Sequence, residues 1–310
     1  RAGLRARLVD VSLPDLSFDP ASLSERLGSE TLAVIHVHPF GLPRPVEGLR
    51  SEVHAAGAWL IEDAAQAMGA RLDGRRVGGL GDAALFSMGP GKALSTGGGG
   101  LLAVQDERLM EPIQRRYDHW PVRSRRASVL ALARLAVLDV GFRPLGWRAV
   151  TTLRLNDLGN SETLRGFAPA RLTDAQAAVG SVGLATLDAV NASRRQRAEQ
   201  LLAAIEDVPA LQPVPAGPGE PIYLRLPLLV APALRERLLG RLRDGGIGAG
   251  RMYREPLHHL FPHLNEGTFP GAEAVARQLL TLPTHAHLVS GDLTWIVDIF
   301  RAMARERAKQ

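Results

Sequence analysis

The sequence predicts an α/β protein, with a mainly parallel sheet covered by helices on both faces and a smaller α+β region toward the C-terminus. Three observations carry this. Short apolar runs alternate with helical patterns through the first hundred residues, the mark of β-α-β units. An alanine-rich helical pattern runs from Thr173 to about Ile205. Beyond it, the proline- and glycine-rich stretch Pro213–Gly219 is a loop that opens a second set of elements. The predicted division is a large domain over residues 1–205, which includes the connecting helix, and a small α+β domain over residues 206–310.

In chain order, strands are expected at Arg7–Val11, Leu32–Val37, Ala58–Ile61, Ala83–Ser87 and Leu101–Val104. Helices are expected near Pro20–Leu27 and Val46–Ala56. A helix-rich stretch follows from about Glu107 to Arg154, punctuated by Pro121 and Pro144. The long helix after it has Thr173 or Asp174 as its N-cap. Past the loop come a strand at Ile222–Val230, a helix at Pro232–Arg243, a break at Gly245-Gly246, a strand reaching Tyr253 and two terminal helices.

Composition narrows the function classes. The 310 residues are 45% apolar and 22% charged, enough for a sizeable core. The net charge is +5, but the arginines are scattered among 32 acidic residues and only 5% of residues are aromatic. A nucleic-acid partner would need clustered arginine and stacking rings, so none is expected. The absence of cysteine excludes disulfides, thiolate metal sites and a cysteine nucleophile. The longest apolar stretch, Val129 to Val140, is too short to span a bilayer and contains Arg134 and Asp139. The start, Arg1-Ala2-Gly3-Leu4-Arg5, has no signal-peptide core. A cytoplasmic protein without an integral membrane segment is expected.

Lysine is the residue that points to chemistry. Of 37 basic residues only Lys92 and Lys309 are lysine. Arginine matches lysine in charge and reach, but it cannot lose a proton near neutral pH and attack a carbonyl carbon. Lys92 lies in Phe86-Ser87-Met88-Gly89-Pro90-Gly91-Lys92, ahead of Thr96-Gly97-Gly98-Gly99-Gly100. A phosphate-binding P-loop is excluded, because Phe86 stands where its first glycine belongs and Ala93 replaces the magnesium-binding Ser or Thr. A metal is not expected either: His36 and His38 are read as projecting to opposite faces of a strand, and His258 and His259 are adjacent. Pyridoxal 5'-phosphate (PLP) accounts for the set better. It requires a lysine for a Schiff base, a carboxylate at the pyridine nitrogen and donors for its phosphate; Lys92, Asp63 and Ser87 supply these in turn.

These residues fall in an ordered set of motifs. They include Val37-His38-Pro39-Phe40-Gly41, Glu62-Asp63-Ala64-Ala65-Gln66, Gly78-Gly79-Leu80-Gly81-Asp82, and Phe86-Ser87 with Lys92 and Ser95-Thr96-Gly97. Later come Asp174-Ala175-Gln176, Tyr253-Arg254-Glu255-Pro256-Leu257-His258 and Leu280-Thr281-Leu282-Pro283. Over nearly its whole length the chain resembles the DegT/DnrJ/EryC1/StrS aminotransferases, which are PLP enzymes of fold type I. The resemblance implies that Lys92 is the Schiff-base lysine and proton shuttle and that Asp63 pairs with the pyridinium nitrogen. It also implies that Gln66 lies near the ring and that Ser87 binds phosphate. Substrate roles are implied for His38, Tyr253 and His258, whereas Glu62 is read as structural.

The implied reaction moves an amino group from glutamate or glutamine to a keto-sugar, nucleotide-linked in the family's manner, within polysaccharide or secondary-metabolite biosynthesis. A homodimer is implied, with the loop at Phe167-Ala168-Pro169 crossing between subunits. Relative to the family, the chain is expected to lack an N-terminal segment that carries a Gly-Thr phosphate-binding turn, and Gly98 replaces the usual glutamate. Two other readings are a family fragment with a binding role and a PLP-dependent sugar dehydratase. The dehydratases carry histidine in place of the lysine, so Lys92 opposes that reading.

Overall fold

The computed structural model describes residues 3–141 and 169–307. The expected helical stretch beyond Gly141 and the Phe167-Ala168 part of the crossing loop lie outside them. Four strands form the central sheet: β1 (Ala33–Val37), β2 (Trp59–Asp63), β5 (Ala83–Ser87) and β6 (Gly100–Val104), in the order β1-β2-β5-β6. The first three are parallel, and β6 runs antiparallel to β5. The short pair β3 (Arg71–Leu72) and β4 (Arg75–Arg76) forms a separate hairpin between β2 and β5.

Because side chains alternate across a strand, the register sorts residues onto two faces. Val34, His36, Leu60, Glu62 and Ala84 are buried on one face. Leu23 of α1 (Pro20–Ser24) and Val46 and Val53, at the start and in the body of α2 (Glu47–Ala55), pack there with Ala64, Ala67, Ala70, Leu72 and Leu80. On the other face the row Val37–Asp63–Leu85–Leu102 crosses all four strands. Its apolar members are exposed, as is Ile35 at 55%. Among the described residues, therefore, the cover is one-sided, where helices on both faces were expected.

No strand forms at Arg7–Val11; only an isolated bridge joins Val11 to Phe18. The chain instead turns back on itself, with Ser12 N bonded to Ser17 O and Asp19 N to Asp10 O. The Asp10 carboxylate accepts from Gly271 N (2.9 Å) and Ala272 N (2.8 Å), far away in sequence. Those two amides open α8 (Pro270–Gln278), where a helix leaves its first N–H groups without partners.

After α3 (Glu107–Asp118) and α4 (Arg125–Gly141), the long helix α5 (Asp174–Ile205) matches its expected span. Thr173 is its N-cap, and with Gln176 it forms a reciprocal capping box. The C-terminal elements are β7 (Leu211–Pro213), β8 (Arg225–Val230), α6 (Pro232–Asp244), α7 (Leu257–Leu260), α8, β9 (Leu279–Pro283) and α9 (Ser290–Arg307). An antiparallel sheet β7-β8-β9 lies among them. The strand expected to reach Tyr253 is reduced to a bridge between Gly250 and Thr281. Its place beside β8 belongs to β9, a strand that the sequence analysis does not predict. The cause is a short apolar run, Leu279-Leu280-Thr281-Leu282, that follows α8 without a break, so periodicity cannot separate strand from helix.

Two large apolar clusters result. One lies under the central sheet; the other joins α5, α6, β8, β9 and α9. They interlock, since Leu16, Phe40 and Leu42 enter the second cluster and Ile222 and Leu224 enter the first.

Candidate active site

Glu62 and Asp63 are neighbours at the carboxyl end of β2, and the two-residue period sends them to opposite faces. Glu62 is fully buried on the closed face. It accepts from Gly78 N (2.8 Å), Leu80 N (2.7 Å) and Gly81 N (2.6 Å), and lies 3.1 Å from His38 Nε2. His38 Nδ1 accepts the N–H of Arg44 at 3.0 Å, so the ring proton sits on Nε2 and is donated to Glu62. Burial pushes the Glu62 carboxyl up, but the bonds from His38 and the three amides outweigh it and its pKa is lowered.

His38 is fully buried with both ring nitrogens engaged, so it faces the interior and not an open site. His36 sits beside it, ring centroids 4.9 Å apart. The reading that placed these two histidines on opposite faces is corrected: residues two apart in a strand share a face. Burial, the largest cause, lowers the pKa of His36 to about 3, which keeps it neutral.

The open side is built differently. Ser87 ends β5 on the same face as Asp63. The segment from Met88 to Gly99 connects β5 to β6 and carries Lys92. Its base is closed where Met88 N meets Gly99 O (3.0 Å), and Thr96 N returns to Met88 O (3.0 Å). The Gln176 amide, at the start of α5, donates to Thr96 O (3.3 Å) and Gly98 O (3.2 Å) and fixes the far limb. Gly98 holds φ at +148°, a conformation that a side chain strains. The usual glutamate could therefore not enter this backbone without moving it.

Lys92 is half-buried, and desolvation lowers its pKa below the ordinary 10.5, opposed by the negative charge of Asp63. The two groups are thus near enough to interact. Among the described residues, the hydrogen bond to the Asp63 carboxylate comes from Ala65 N, at 3.0 Å to Oδ1. Gln66 accepts from Phe40 N (2.9 Å) and donates to the Tyr253 hydroxyl (2.9 Å). Desolvation raises the Tyr253 pKa, Gln66 opposes it and the Asp63 charge adds to it, although the residue as a whole is 45% exposed. Tyr253 and Phe40 hold φ of 55° and 57°, rare for non-glycine residues, and their rings meet edge-on at 5.7 Å.

The structure thus gathers Asp63, Gln66, Lys92 and Tyr253, with Ser87 at the start of the lysine segment, where its Oγ accepts from Gly89 N (3.3 Å). It does not bring His38 there. His258 lies on α7 against Phe269 and 3.8 Å from Glu273. Sequence reasoning missed Gln176 and Phe40 as positioning residues. The Thr173-x-x-Gln176 spacing signals a capping box, but not that the same amide reaches across to the lysine segment.

A carboxylate, a desolvated amine and a strand-end hydroxyl beside a backbone amide match what PLP requires of a protein. The model for the DegT/DnrJ/EryC1/StrS aminotransferase family matches residues 1–301. The chain belongs to this family. It is an aminotransferase, and its cofactor is PLP. Among family members, it is 31% identical over 300 residues to the dTDP-3-amino-3,4,6-trideoxy-alpha-D-glucose transaminase of Streptomyces venezuelae, covering 95% of this chain and 69% of that protein. The erythromycin biosynthesis protein EryC1 of Saccharopolyspora erythraea is 32% identical over 282 residues, covering 88% of this chain and 66% of that one. The crystal structure of DesV from S. venezuelae superposes with a TM-score of 0.74 at 28% identity, covering 96% of this chain and 71% of that chain. The chain thus spans about two thirds of the length of the relatives it matches. No described helix is long and apolar enough to cross a membrane.

Proposed function

We propose that this aminotransferase transfers an amino group from glutamate or glutamine to a nucleotide-linked keto-sugar, in the cytoplasm, as a step toward a polysaccharide or secondary metabolite. The names of its relatives, dTDP-sugar transaminases among them, support the sugar substrate. The observation that carries the site assignment is a half-buried Lys92 on the segment that leaves β5 beside Asp63 of β2, in a chain whose only other lysine is Lys309. PLP, when bound, supplies an aldehyde to receive the amino group and a protonated ring to hold the electrons released when a Cα proton leaves.

In this reading Lys92 anchors the cofactor and then moves the proton, and its lowered pKa leaves more of it as the neutral base at pH 7. Asp63 keeps negative charge at the ring nitrogen. Gln66, fixed at both ends by Phe40 N and the Tyr253 hydroxyl, orients the ring, and Ser87 with Gly89 N contributes to the phosphate cup. Tyr253 borders the substrate side. We assign residues 1–205 to the cofactor-binding unit and residues 206–310 to the smaller one, and the working unit to a homodimer.

The test has two arms. Borohydride reduction of the PLP-loaded protein followed by peptide mapping should leave a phosphopyridoxyl group on Lys92; a label elsewhere removes Lys92 from its role. Glutamate with a dTDP-linked keto-sugar should yield an amino sugar by mass spectrometry. A product that has lost a hydroxyl without gaining nitrogen would favour a dehydratase.

A further inference from the structure

Away from this site, α7 and α8 bring together His258, His259 and Glu273, whose ligand atoms all lie within 4.8 Å of one another. The sequence reading set the histidine pair aside for want of helical i,i+4 spacing. The third group comes from another helix, which spacing along one element cannot reveal.

We propose that His258, His259 and Glu273 form a divalent transition-metal site of the zinc class, with water in the fourth position. His258 Nε2 and Glu273 Oε1 stand 3.8 Å apart, too far for a hydrogen bond. They are close to the separation of roughly 3.4 Å between ligands on a tetrahedral zinc with bonds of about 2.0–2.2 Å. The two imidazole rings meet with centroids 4.3 Å apart. Small side-chain rotations therefore close the site.

Its supports are already in place. His258 is buried at 7% exposure and packs on Phe269 at 4.8 Å, so one ligand is anchored on an apolar floor. Glu273 gives its second oxygen to Arg277 at 3.2 Å, which turns Oε1 toward the histidines. Such outer hydrogen bonds orient a ligating carboxylate. His259 is exposed and free to swing inward. Two imidazoles and one carboxylate suit zinc and its neighbours and not magnesium or calcium, which take oxygen ligands.

The site is a clip, not a second catalytic centre. It ties the four-residue helix α7 to α8 across the Phe261–Phe269 connection. The clip begins four residues beyond Arg254, which follows the Tyr253 whose hydroxyl meets Gln66. The proposal stands independently of the sugar substrate.

The test uses the full chain, stripped with a chelator and titrated with zinc against a chromogenic competitor. One zinc per chain is expected, with at least tenfold weaker binding in His259→Ala and in Glu273→Gln. Binding by His119→Ala, which alters an exposed histidine elsewhere, should be unchanged. Cobalt(II) should give the intense visible absorption of a tetrahedral site in the parent chain and lose it in both variants. Circular dichroism confirms that the variants are folded. No zinc binding at micromolar concentrations, or equal binding by parent and both variants, overturns the proposal; the second result would mean an adventitious ion only.

Discussion

The two faces of the central sheet use the same strands for opposite purposes. On the closed face every partner of Glu62 is internal: three amides and an imidazole converge on one carboxylate, and no solvent reaches it. On the open face Asp63, one residue on, has a single amide bond among the described residues and the charge of Lys92 nearby. A satisfied buried charge holds the Gly78–Gly81 turn in shape. A half-buried one with fewer protein partners keeps capacity for something that arrives later. Adjacent acids can thus take different tasks, a structural one for Glu62 and the proposed chemical one for Asp63, because a strand turns each side chain away from its neighbour.

If this division holds, variants on the open face should alter turnover without altering stability, and variants on the closed face the reverse. The largest effect is expected for Lys92→Arg. The charge stays, the nucleophile and proton shuttle go, and transamination should fall about 10³-fold or more. The thermal unfolding midpoint should stay near the parent value; a large drop would move Lys92 into the structural class.

Glu62→Gln comes next. The amide that replaces the carboxylate turns its own N–H donors toward the backbone donors it should accept from, and leaving buried donors unpaired costs about 1–3 kcal/mol, readable by urea denaturation. The pH dependence has a definite sign. The folded pKa of Glu62 lies below its ordinary 4.5, so the unfolded chain takes up the proton first. The stabilisation is full above about pH 4.5 and is lost as pH falls through the folded value. The variant should show a flatter acid limb, and an unchanged limb would break the closed-face account.

Asp63→Asn should reduce turnover about 10- to 10³-fold, since a nearby opposite charge shifts a pKa by roughly 1–3 units and the ring nitrogen would lose that support. Urea stability should be unaffected. The smallest effect is expected for Tyr253→Phe, which removes the hydroxyl held by Gln66. One hydrogen bond contributes about 1 kcal/mol, so PLP should dissociate roughly fivefold more readily, measured by equilibrium dialysis.

Much of this was legible in the residues. Parallel strands at Leu32–Val37, Ala58–Ile61 and Ala83–Ser87 were readable because apolar runs were bounded by turn residues, and the observed strands shift by only a residue or two. The lysine bias and the strand-end positions of Asp63 and Ser87 point to the proposed site. What could not be read was decided by contacts distant in sequence. Whether Arg7–Val11 forms a strand depends on whether a neighbour is present to pair with, and β9 is a strand because β8 lies beside it. His38 looked like a site residue from its place after β1, yet Arg44 and Glu62 claim both of its nitrogens. Nothing local distinguishes a histidine that faces a crevice from one that is locked inside.

The bond from Asp10 to α8 has a consequence for how the protein comes into being. Its partners are separated by 261 and 262 positions, and Arg5 with Glu266 adds a surface contact of the same span. Bringing ends so far apart together costs entropy that only the finished C-terminal half can offset. On the ribosome, at about 5–20 residues per second, Asp10 must wait roughly 13–50 s before the amides it caps have even been synthesised. For that interval Val9 and Phe18 can pack on the cluster under the central sheet, but Leu16 has no completed cluster to enter. The segment around Asp10 is thus made 261 positions before the first of its partners and placed only after them, a window in which chaperones and proteases meet it first.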